Sequence, residues 1–208
     1  MARVKKIKDS KFETEKTVII CGKGESIEKI KNVDLGGKYV ACLNSATVFV
    51  ENVDFLFIND IEKLEMLFKL EQRLQKISNI IVPIQVHKDC KASEITYVEV
   101  LDLLKEYDMN LYTYCLYTQK MKNPDTDEID FFQFGSEVID SVFHTSLFWL
   151  TEVGFRNFEI YGVGTSQKYA DVFVEAKDVA NMPKSWHEKN YRKGVKILER
   201  NKCQYKFN

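Results

Sequence analysis

A glycine-containing turn at residues 22–26 carries the residue types that bind phosphates. Gly22, Gly24 and Ser26 directly follow the apolar run TVIIC and precede a polar amphipathic segment, residues 26–32. Glycines let the main chain turn tightly and approach a ligand closely, and a serine can cap a helix whose N-terminus attracts a phosphate. The spacing is neither that of a Walker A loop nor that of the dinucleotide fingerprint. The turn is therefore predicted either to bind a phosphate or simply to join a strand to a helix.

Two further polar residues, Asn44 and Asp60, stand at the ends of apolar runs. An asparagine there offers a donor and an acceptor to a base or a ribose, whereas an aspartate accepts from hydroxyls or holds a metal ion. Each residue also suits the simpler role of a turn residue. Because both follow predicted strands, we expect them to help bind the same ligand.

His187 is the histidine best placed for acid–base chemistry. The segment Ser185-Trp186-His187-Glu188 has the spacing of a capping box, which predicts a helix that starts at Ser185. The positive end of a helix dipole disfavours the imidazolium form, so His187 is expected to be neutral and able to accept a proton. It is predicted to be either a general base or a surface histidine at a helix start.

A second histidine, His144, follows Ser141 by one helical turn, so their side chains share a face. The two side chains are predicted either to form a polar pair that contacts a ligand or to serve the fold alone, with His144 as a structural histidine. His87 stands alone after a strand end.

The cysteines argue for reduced thiols and against a zinc site. They are five in number, scattered without a C-x-x-C pair, and accompanied by three histidines. Such a pattern is typical of a reducing compartment. None is assigned a reactive role: Cys21, Cys42, Cys90, Cys115 and Cys203.

Apolar runs alternate along the chain with segments of helical periodicity. Continuously apolar runs are typical of strands buried on both faces of a parallel sheet. The predicted strands are residues 17–21, 38–43, 53–58, 79–84, 111–118 and 157–163, and the predicted helices are residues 26–32, 61–77, 93–107 and 138–153. Gly154 is expected to end the last of these helices.

This alternation predicts an open α/β fold, a mainly parallel Rossmann-like sheet with helices on both faces. Ligands in such folds bind at the carboxyl ends of the strands. Residues 1–16 are expected to form a basic N-terminal segment and residues 17–208 a single domain, with a possible lid at residues 120–134, which show neither period. The predicted site positions are residues 22–26, 44–45, 59–60 and 162–166.

Composition describes a globular chain with basic ends. The 208 residues are 45% hydrophobic and carry a net charge of −1, yet residues 184–208 hold eight Lys or Arg against two acids. Such a segment either contacts a polyanion, nucleic acid included, or forms a solvated face. No uninterrupted apolar stretch of about 18 residues is present and no signal peptide is recognised, so a cytoplasmic protein without a membrane span is expected.

Five segments, taken in order, resemble those of a known family. VIICGKGESI is similar to the V-I-x-x-G-x-G-P-S-L opening of bacterial sialyltransferases of the α-2,3/α-2,8 type and of the related motility-accessory-factor and 6-hydroxymethylpterin-diphosphokinase-like family. The other four segments are ACLNSATVF, VDFLFIND, SVFHTSLFWLTEVGFRNFEIYGVG and HEKNYRKGVKILERNKCQYKF, the last resembling the tail that begins at the catalytic histidine.

The resemblance implies a glycosyltransferase-A-like nucleotide-binding domain that needs no metal or other cofactor. It implies that His187 deprotonates an acceptor hydroxyl and that Tyr169 steadies the departing phosphate. The chain has Glu25, Gly164 and Ser166 where the family has proline, aspartate and the first of two tyrosines. The residues expected to contact the nucleotide are Gly22, Gly24, Ser26, Asn44, Asp60, Ser141, Gly162, Gly164 and Ser166.

The expected function is therefore transfer of a sugar from a nucleotide-activated donor to an acceptor hydroxyl by direct displacement. Three alternatives stay open. One is a glycosyltransferase that modifies nucleic acid, and another is a pyrophosphokinase in which Asp60 binds Mg²⁺. The third is a nucleotide-binding protein that has lost catalysis.

Overall fold

The computed structural model describes residues 3–4, 11–59, 76–83, 102, 104, 107–115, 132–133, 141–165, 168–171, 173 and 183–208. Within these residues nine strands form a single sheet in which every neighbouring pair is parallel, and six of the nine correspond to the predicted apolar runs. The strands are β1 (Arg3–Val4), β2 (Thr17–Cys21), β3 (Tyr39–Leu43), β4 (Val53–Phe57), β5 (Ile77–Pro83), β6 (Asn110–Cys115), β7 (Phe132–Gln133), β8 (Asn157–Tyr161) and β9 (Gln204–Phe207). The predicted open, parallel α/β sheet is confirmed.

The order in which strands are added to the sheet reverses in the middle of the sheet. The order is β1-β6-β5-β4-β3-β2-β8-β9. Strand β7 pairs with the C-terminal end of β6, whereas β1 pairs with its N-terminal end. The chain therefore adds strands on one side of β2 as far as β6 and then returns to add β8 and β9 on the other side. In open α/β sheets, ligands bind outside the carboxyl ends of the strands at such a reversal. The edge between β2 and β8 is consequently the first place to look for a site.

Helices cover both faces of the sheet. The 3-10 helices Glu25–Asn32 and Asn44–Phe49 pack on one face, and the α-helices α1 (Val142–Val153) and α2 (Lys184–Arg200) pack on the other. Alternate residues of the strands feed the two cores because successive side chains point to opposite faces. The first core includes Ile19, Cys21, Ile27, Ile30, Cys42 and Ala46, and the second includes Val18, Ile20, Ala41, Phe55, Trp149 and Ile197.

Local chemistry fixes where α1 begins and ends. Ser141 is its N-cap, with Oγ accepting a hydrogen bond from the backbone N–H of His144 at 3.4 Å. Gly154 adopts a φ of 118° and its N–H bonds back to the last turn, as predicted. Eight of the twelve residues of α1 are buried, and four of these eight are polar.

Gly194 lets α1 and α2 approach each other closely. A Cβ at this position would collide with the ring of Phe143. Glycine in a helix interior costs roughly 1 kcal/mol relative to alanine, so packing of this ring explains its presence. The contact fixes α2 against α1 near the buried residues His187 and Asn190.

The structure corrects several predicted boundaries. Residues 26–32 form part of a 3-10 helix rather than an α-helix, and α1 starts at Val142 rather than at residue 138. Ile77 is the first residue of β5 and cannot end a helix. Phe132 and Gln133 pair with β6, so the prediction of an irregular lid is wrong for these two residues.

Some predictions fall on residues outside the described ranges. They concern nearly all of the predicted helices at residues 61–77 and 93–107, the rest of the lid at residues 120–134, and His87. Among the residues that the structure describes, no helix combines the length and apolar character needed to span a bilayer.

Candidate functional site

The turns that follow β2 and β8 touch each other at the reversal point. Gly22 N–H donates to the carbonyl of Tyr161 at 2.7 Å, and Gly24 N–H donates to the carbonyl of Gly162 at 2.8 Å. A Cβ on Gly22 would collide with the carbonyl oxygen of Gly162, and one on Gly162 would collide with that of Gly22. Gly162 also has a φ of 66°, a region that favours glycine. The glycines were predicted to let the main chain approach a ligand closely; in the structure they let the turns after β2 and β8 approach each other.

This contact changes which groups are available to a ligand. The amides of Gly22 and Gly24 already have carbonyl partners, so they do not serve as phosphate donors. In the described part of the chain, the amides of Glu25 and Ser26 have no backbone acceptor. They open the 3-10 helix Glu25–Asn32 and are therefore the donors that this turn offers to an anion.

Ser26 does not have the predicted capping role. The N-cap of the 3-10 helix is Gly24, and no side chain caps it. The Ser26 hydroxyl instead accepts a hydrogen bond from Gly162 N–H at 2.8 Å, because the positive φ of Gly162 turns that N–H toward it. Ser26 therefore binds the two turns together.

Tyr169 lies directly against this turn. It forms an isolated antiparallel bridge with Gly24, and the neighbouring Ala170 N–H donates to the carbonyl of Lys23 at 3.0 Å. The Lys23 ammonium lies 5.5 Å from the centroid of the Tyr169 ring. Burial raises the pKa of Tyr169, so its hydroxyl remains a donor at neutral pH. The resemblance implies that Tyr169 steadies a departing phosphate; the structure places it beside the glycine turn.

Charge near the turn is balanced by an ion pair. Glu25 would repel an anion bound beside it, but the Lys168 ammonium lies 3.8 Å from its carboxylate. Both side chains are largely exposed, so water screens the pair and its contribution is small. With Lys23 on the other side of Tyr169, two cations flank the turn.

The ends of β3 and β4 carry polar side chains at the same edge. Asn44 has a φ of 52°, which an asparagine tolerates, and its Oδ1 is buried with no hydrogen-bond partner among the described residues. Asn59 Oδ1 accepts hydrogen bonds from Tyr114 at 2.6 Å and from Thr145 at 2.9 Å. Sequence reasoning singled out Asp60 and missed this network, although the Asn-Asp pair at the strand end was its visible signal.

His187 is buried in the first turn of α2 and only 9% exposed, and its Nε2 has no hydrogen-bond partner in the described part of the chain. Burial lowers its pKa, which keeps the ring neutral near pH 7. The predicted capping box is wrong, because Pro183 is the N-cap, the helix starts at Lys184, and Ser185 is an exposed residue inside it. The His187 ring is neutral as expected, but burial, rather than the helix dipole, is the cause.

His144 is structural rather than paired with a serine side chain. It is fully buried, and its Nε2–H donates to the backbone carbonyl of Asn190 at 2.9 Å. The bond ties α1 to α2 one turn beyond His187. Ser141, predicted to contact the nucleotide, caps α1 through the backbone N–H of His144.

His187 and the glycine turn share one edge of the sheet. Helix α2 joins the parallel neighbours β8 and β9, so it runs antiparallel to them and begins at their carboxyl ends. The glycine turn lies at that same edge because it follows β2 directly. The two features approach the edge from opposite faces, since α2 packs in one core and the 3-10 helix Glu25–Asn32 in the other.

The outer face of α2 lines a cleft of about 510 Å³. Six described residues line it, of which four are basic, and they recur at helical spacing on one side of the helix. The lining residues are Ser185, Glu188, Lys189, Arg192, Lys193 and Lys196. We call them the basic face of α2.

The remaining predicted site residues are not brought together. Gly164 is exposed, and nothing lies within 4 Å of the place where its Cβ would stand. Asp60 and Ser166 lie outside the described residues. Within the part of the chain that the structure describes, no group of three His, Cys, Asp or Glu side chains is arranged to hold a metal ion.

Comparisons with protein-family models, with curated proteins and with solved structures find no match to this chain.

Proposed function

We propose that this chain binds a nucleotide-activated sugar at the edge between β2 and β8 and transfers the sugar to an acceptor hydroxyl. The observation that carries the proposal is the bridge between Gly24 and Tyr169 at the reversal point of a parallel sheet. It puts backbone donors, a phenol and a cation where open α/β sheets bind their ligands.

The nucleotide phosphate is bound by the turn after β2. The amides of Glu25 and Ser26 donate to phosphate oxygens, and the Tyr169 hydroxyl and the Lys23 ammonium stabilise the charge that grows as the phosphate leaves. Asn44, whose Oδ1 has no partner, accepts from the base or the ribose. No cofactor takes part in this scheme.

His187 is the general base at the other end of the reaction. Its Nε2 takes the proton of the acceptor hydroxyl while the acceptor oxygen forms a bond to the anomeric carbon. The bond between that carbon and the nucleotide phosphate breaks, and the phosphate leaves with the electron pair. The neutral ring that burial maintains is what this step requires.

Turnover of nucleotide sugars tests the proposal. A screen of CMP, UDP, GDP and ATP by thermal shift first identifies the nucleotide, because a ligand of the native state raises Tm. Transfer from the corresponding nucleotide sugar is then compared between wild type, His187→Ala and Glu152→Ala, the last being an exposed position on α1. We expect His187→Ala to lose about 10²- to 10⁴-fold in kcat and Glu152→Ala to lose nothing. Unchanged transfer by His187→Ala would remove the base from the mechanism.

A second candidate, action on nucleic acid, is favoured by the basic face of α2. Its cleft is lined by four basic residues, and proteins that neutralise phosphates release counterions when they bind. Affinity for a single-stranded oligonucleotide must then fall steeply with salt and must weaken in Arg192→Ala. A flat salt titration argues against this candidate.

The pyrophosphokinase alternative depends on Asp60, which lies outside the described residues. It predicts that nucleotide affinity is lost in EDTA, because Mg²⁺ would bridge the phosphates. The sugar transfer proposed above predicts the same nucleotide affinity with and without EDTA.

A further inference from the structure

We infer that Asn190 binds the acceptor together with His187, its amide contacting a hydroxyl next to the one that reacts. The inference rests on the proposed function for its choice of acceptor. It starts from a property of the side chain itself: Asn190 is only 6% exposed, yet among the residues that the structure describes neither its Nδ2 nor its Oδ1 has a hydrogen-bond partner.

Unpartnered polar atoms are rare in protein interiors because each loses its bonds to water and gains nothing in exchange. Asn190 contributes two such atoms and His187 Nε2 a third. All three belong to one turn of one helix. A buried asparagine that serves only the fold finds partners, as Asn79 does: its Nδ2 donates to the Asp54 carbonyl at 2.8 Å, and its Oδ1 accepts from Asn110 at 3.0 Å.

The position of Asn190 is fixed through its backbone. His144 Nε2–H holds its carbonyl at 2.9 Å, and the Phe143 ring lies against Gly194, one turn further along α2. These contacts leave the amide group uncommitted while the helix that carries it is held firmly. Residues three apart on a helix face the same side, so Asn190 and His187 present their unpartnered atoms together.

The chemistry of the three atoms selects a ligand rich in hydroxyls. Oδ1 accepts from one hydroxyl, Nδ2 donates to its oxygen or to a neighbouring one, and His187 Nε2 accepts from the hydroxyl that reacts. A sugar with adjacent hydroxyl groups satisfies all three. An apolar acceptor would leave the amide unpaired and would be rejected for that reason.

The test compares two buried asparagines. Asn190→Leu removes two unpartnered atoms, whereas Asn79→Leu leaves Asp54 and Asn110 without their bonds, and the two positions are equally buried at 6% and 5% exposed. We expect Asn190→Leu to leave Tm unchanged or higher, and Asn79→Leu to lower it by about 4 °C or more. A loss of Tm in Asn190→Leu as large as that in Asn79→Leu, or a failure to fold, would overturn the inference.

Binding is measured with methyl β-galactoside and methyl β-glucoside as probes. At least one is expected to raise the Tm of the wild type, and Asn190→Leu is expected to weaken its binding at least about 10-fold while leaving nucleotide affinity unchanged. Equal binding of the probe by wild type and Asn190→Leu, or no binding of either probe by the wild type, would also overturn it. If a glycoside binds but none of the four nucleotides does, the proposed transferase is refuted and the hydroxyl site still stands.

Discussion

Gly22 and Gly162 lie so close that each occupies the space that a Cβ on the other would need. The turns after β2 and β8 thereby become one unit, which Ser26 closes by accepting from Gly162 N–H. This unit lies where the order of strand addition reverses, and Tyr169 bridges to it. The proposed nucleotide site depends on its integrity.

Replacing Gly162 should damage both stability and binding. Gly162→Ala adds a methyl group that collides with the Gly22 carbonyl at a φ of 66°, so we expect a loss of about 1–3 kcal/mol in the free energy of unfolding and weaker nucleotide binding. Gly164→Ala is the control, because nothing lies within 4 Å of its added methyl group. It should change stability by less than about 0.5 kcal/mol. Urea unfolding measures both, and equal effects would contradict the role given to the contact.

Tyr169 should act through its hydroxyl. Tyr169→Phe keeps the ring beside Lys23 and removes the donor, so we expect nucleotide turnover to fall by about 10- to 100-fold with little change in Tm. Because burial raises the pKa of Tyr169 above its ordinary value of 10.0, the wild type should retain this contribution up to that pH. Steady-state kinetics of the two proteins from pH 7 to 10 test this; an equal rate in Tyr169→Phe would assign the residue a packing role.

The pH dependence should carry the signature of His187. Its pKa in the folded protein lies below 6.5, so the rate should rise with pH through that lowered value and then level off. The unfolded chain binds the proton more readily than the folded one, so stability should fall as pH drops below 6.5. His187→Gln should lessen this loss. A rate that still climbs well above pH 6.5 would point to a different base.

Asp54 should give a pH effect of opposite sign. Burial raises its pKa above 3.8, although its Oδ2 accepts a hydrogen bond from Val40 N–H at 2.8 Å. Its ionised form is therefore less favourable in the folded protein, and the stability it contributes at low pH is lost as pH rises through the raised value. Asp54→Asn keeps the bond and removes the charge, so it should be more stable than wild type at pH 7 and lose that advantage near pH 3. Thermal unfolding at the two pH values decides the matter.

The sequence was sufficient to predict six strands of the sheet because they are continuous apolar runs, as in β2 and β3. It also indicated the glycine turn and the edge at which it lies. It did not indicate β1, β7 and β9, because two of them are only two residues long and β9 is largely exposed. It could not show that Gly22 and Gly24 bond to the turn after β8, because that turn follows more than 130 residues later in the chain. For the same reason it predicted a cap for Ser26 where the structure has a link to Gly162.

The residues proposed to bind the acceptor were harder to identify from the sequence. Asn190 sits in a helix of strongly polar sequence, and nothing in its neighbours indicates that it is buried without partners. The contact that holds its backbone in place comes from His144, 46 residues earlier in the chain. The capping box at Ser185 was misleading because Pro183, with its fixed φ, already sets the start of α2.

The nucleotide site is tested most directly by following the backbone amides during a titration. In ¹⁵N-labelled protein, the nucleotide selected by thermal shift should move the amide resonances of Glu25 and Ser26 most, with smaller changes at Tyr169. The Glu25 and Ser26 amides have no backbone acceptor among the described residues and are the donors proposed for the phosphate, and Tyr169 bridges to the same turn. Glu152, on the outside of α1, should not move. Changes confined to the basic face of α2, with Glu25 and Ser26 unaffected at saturation, would contradict the proposed site.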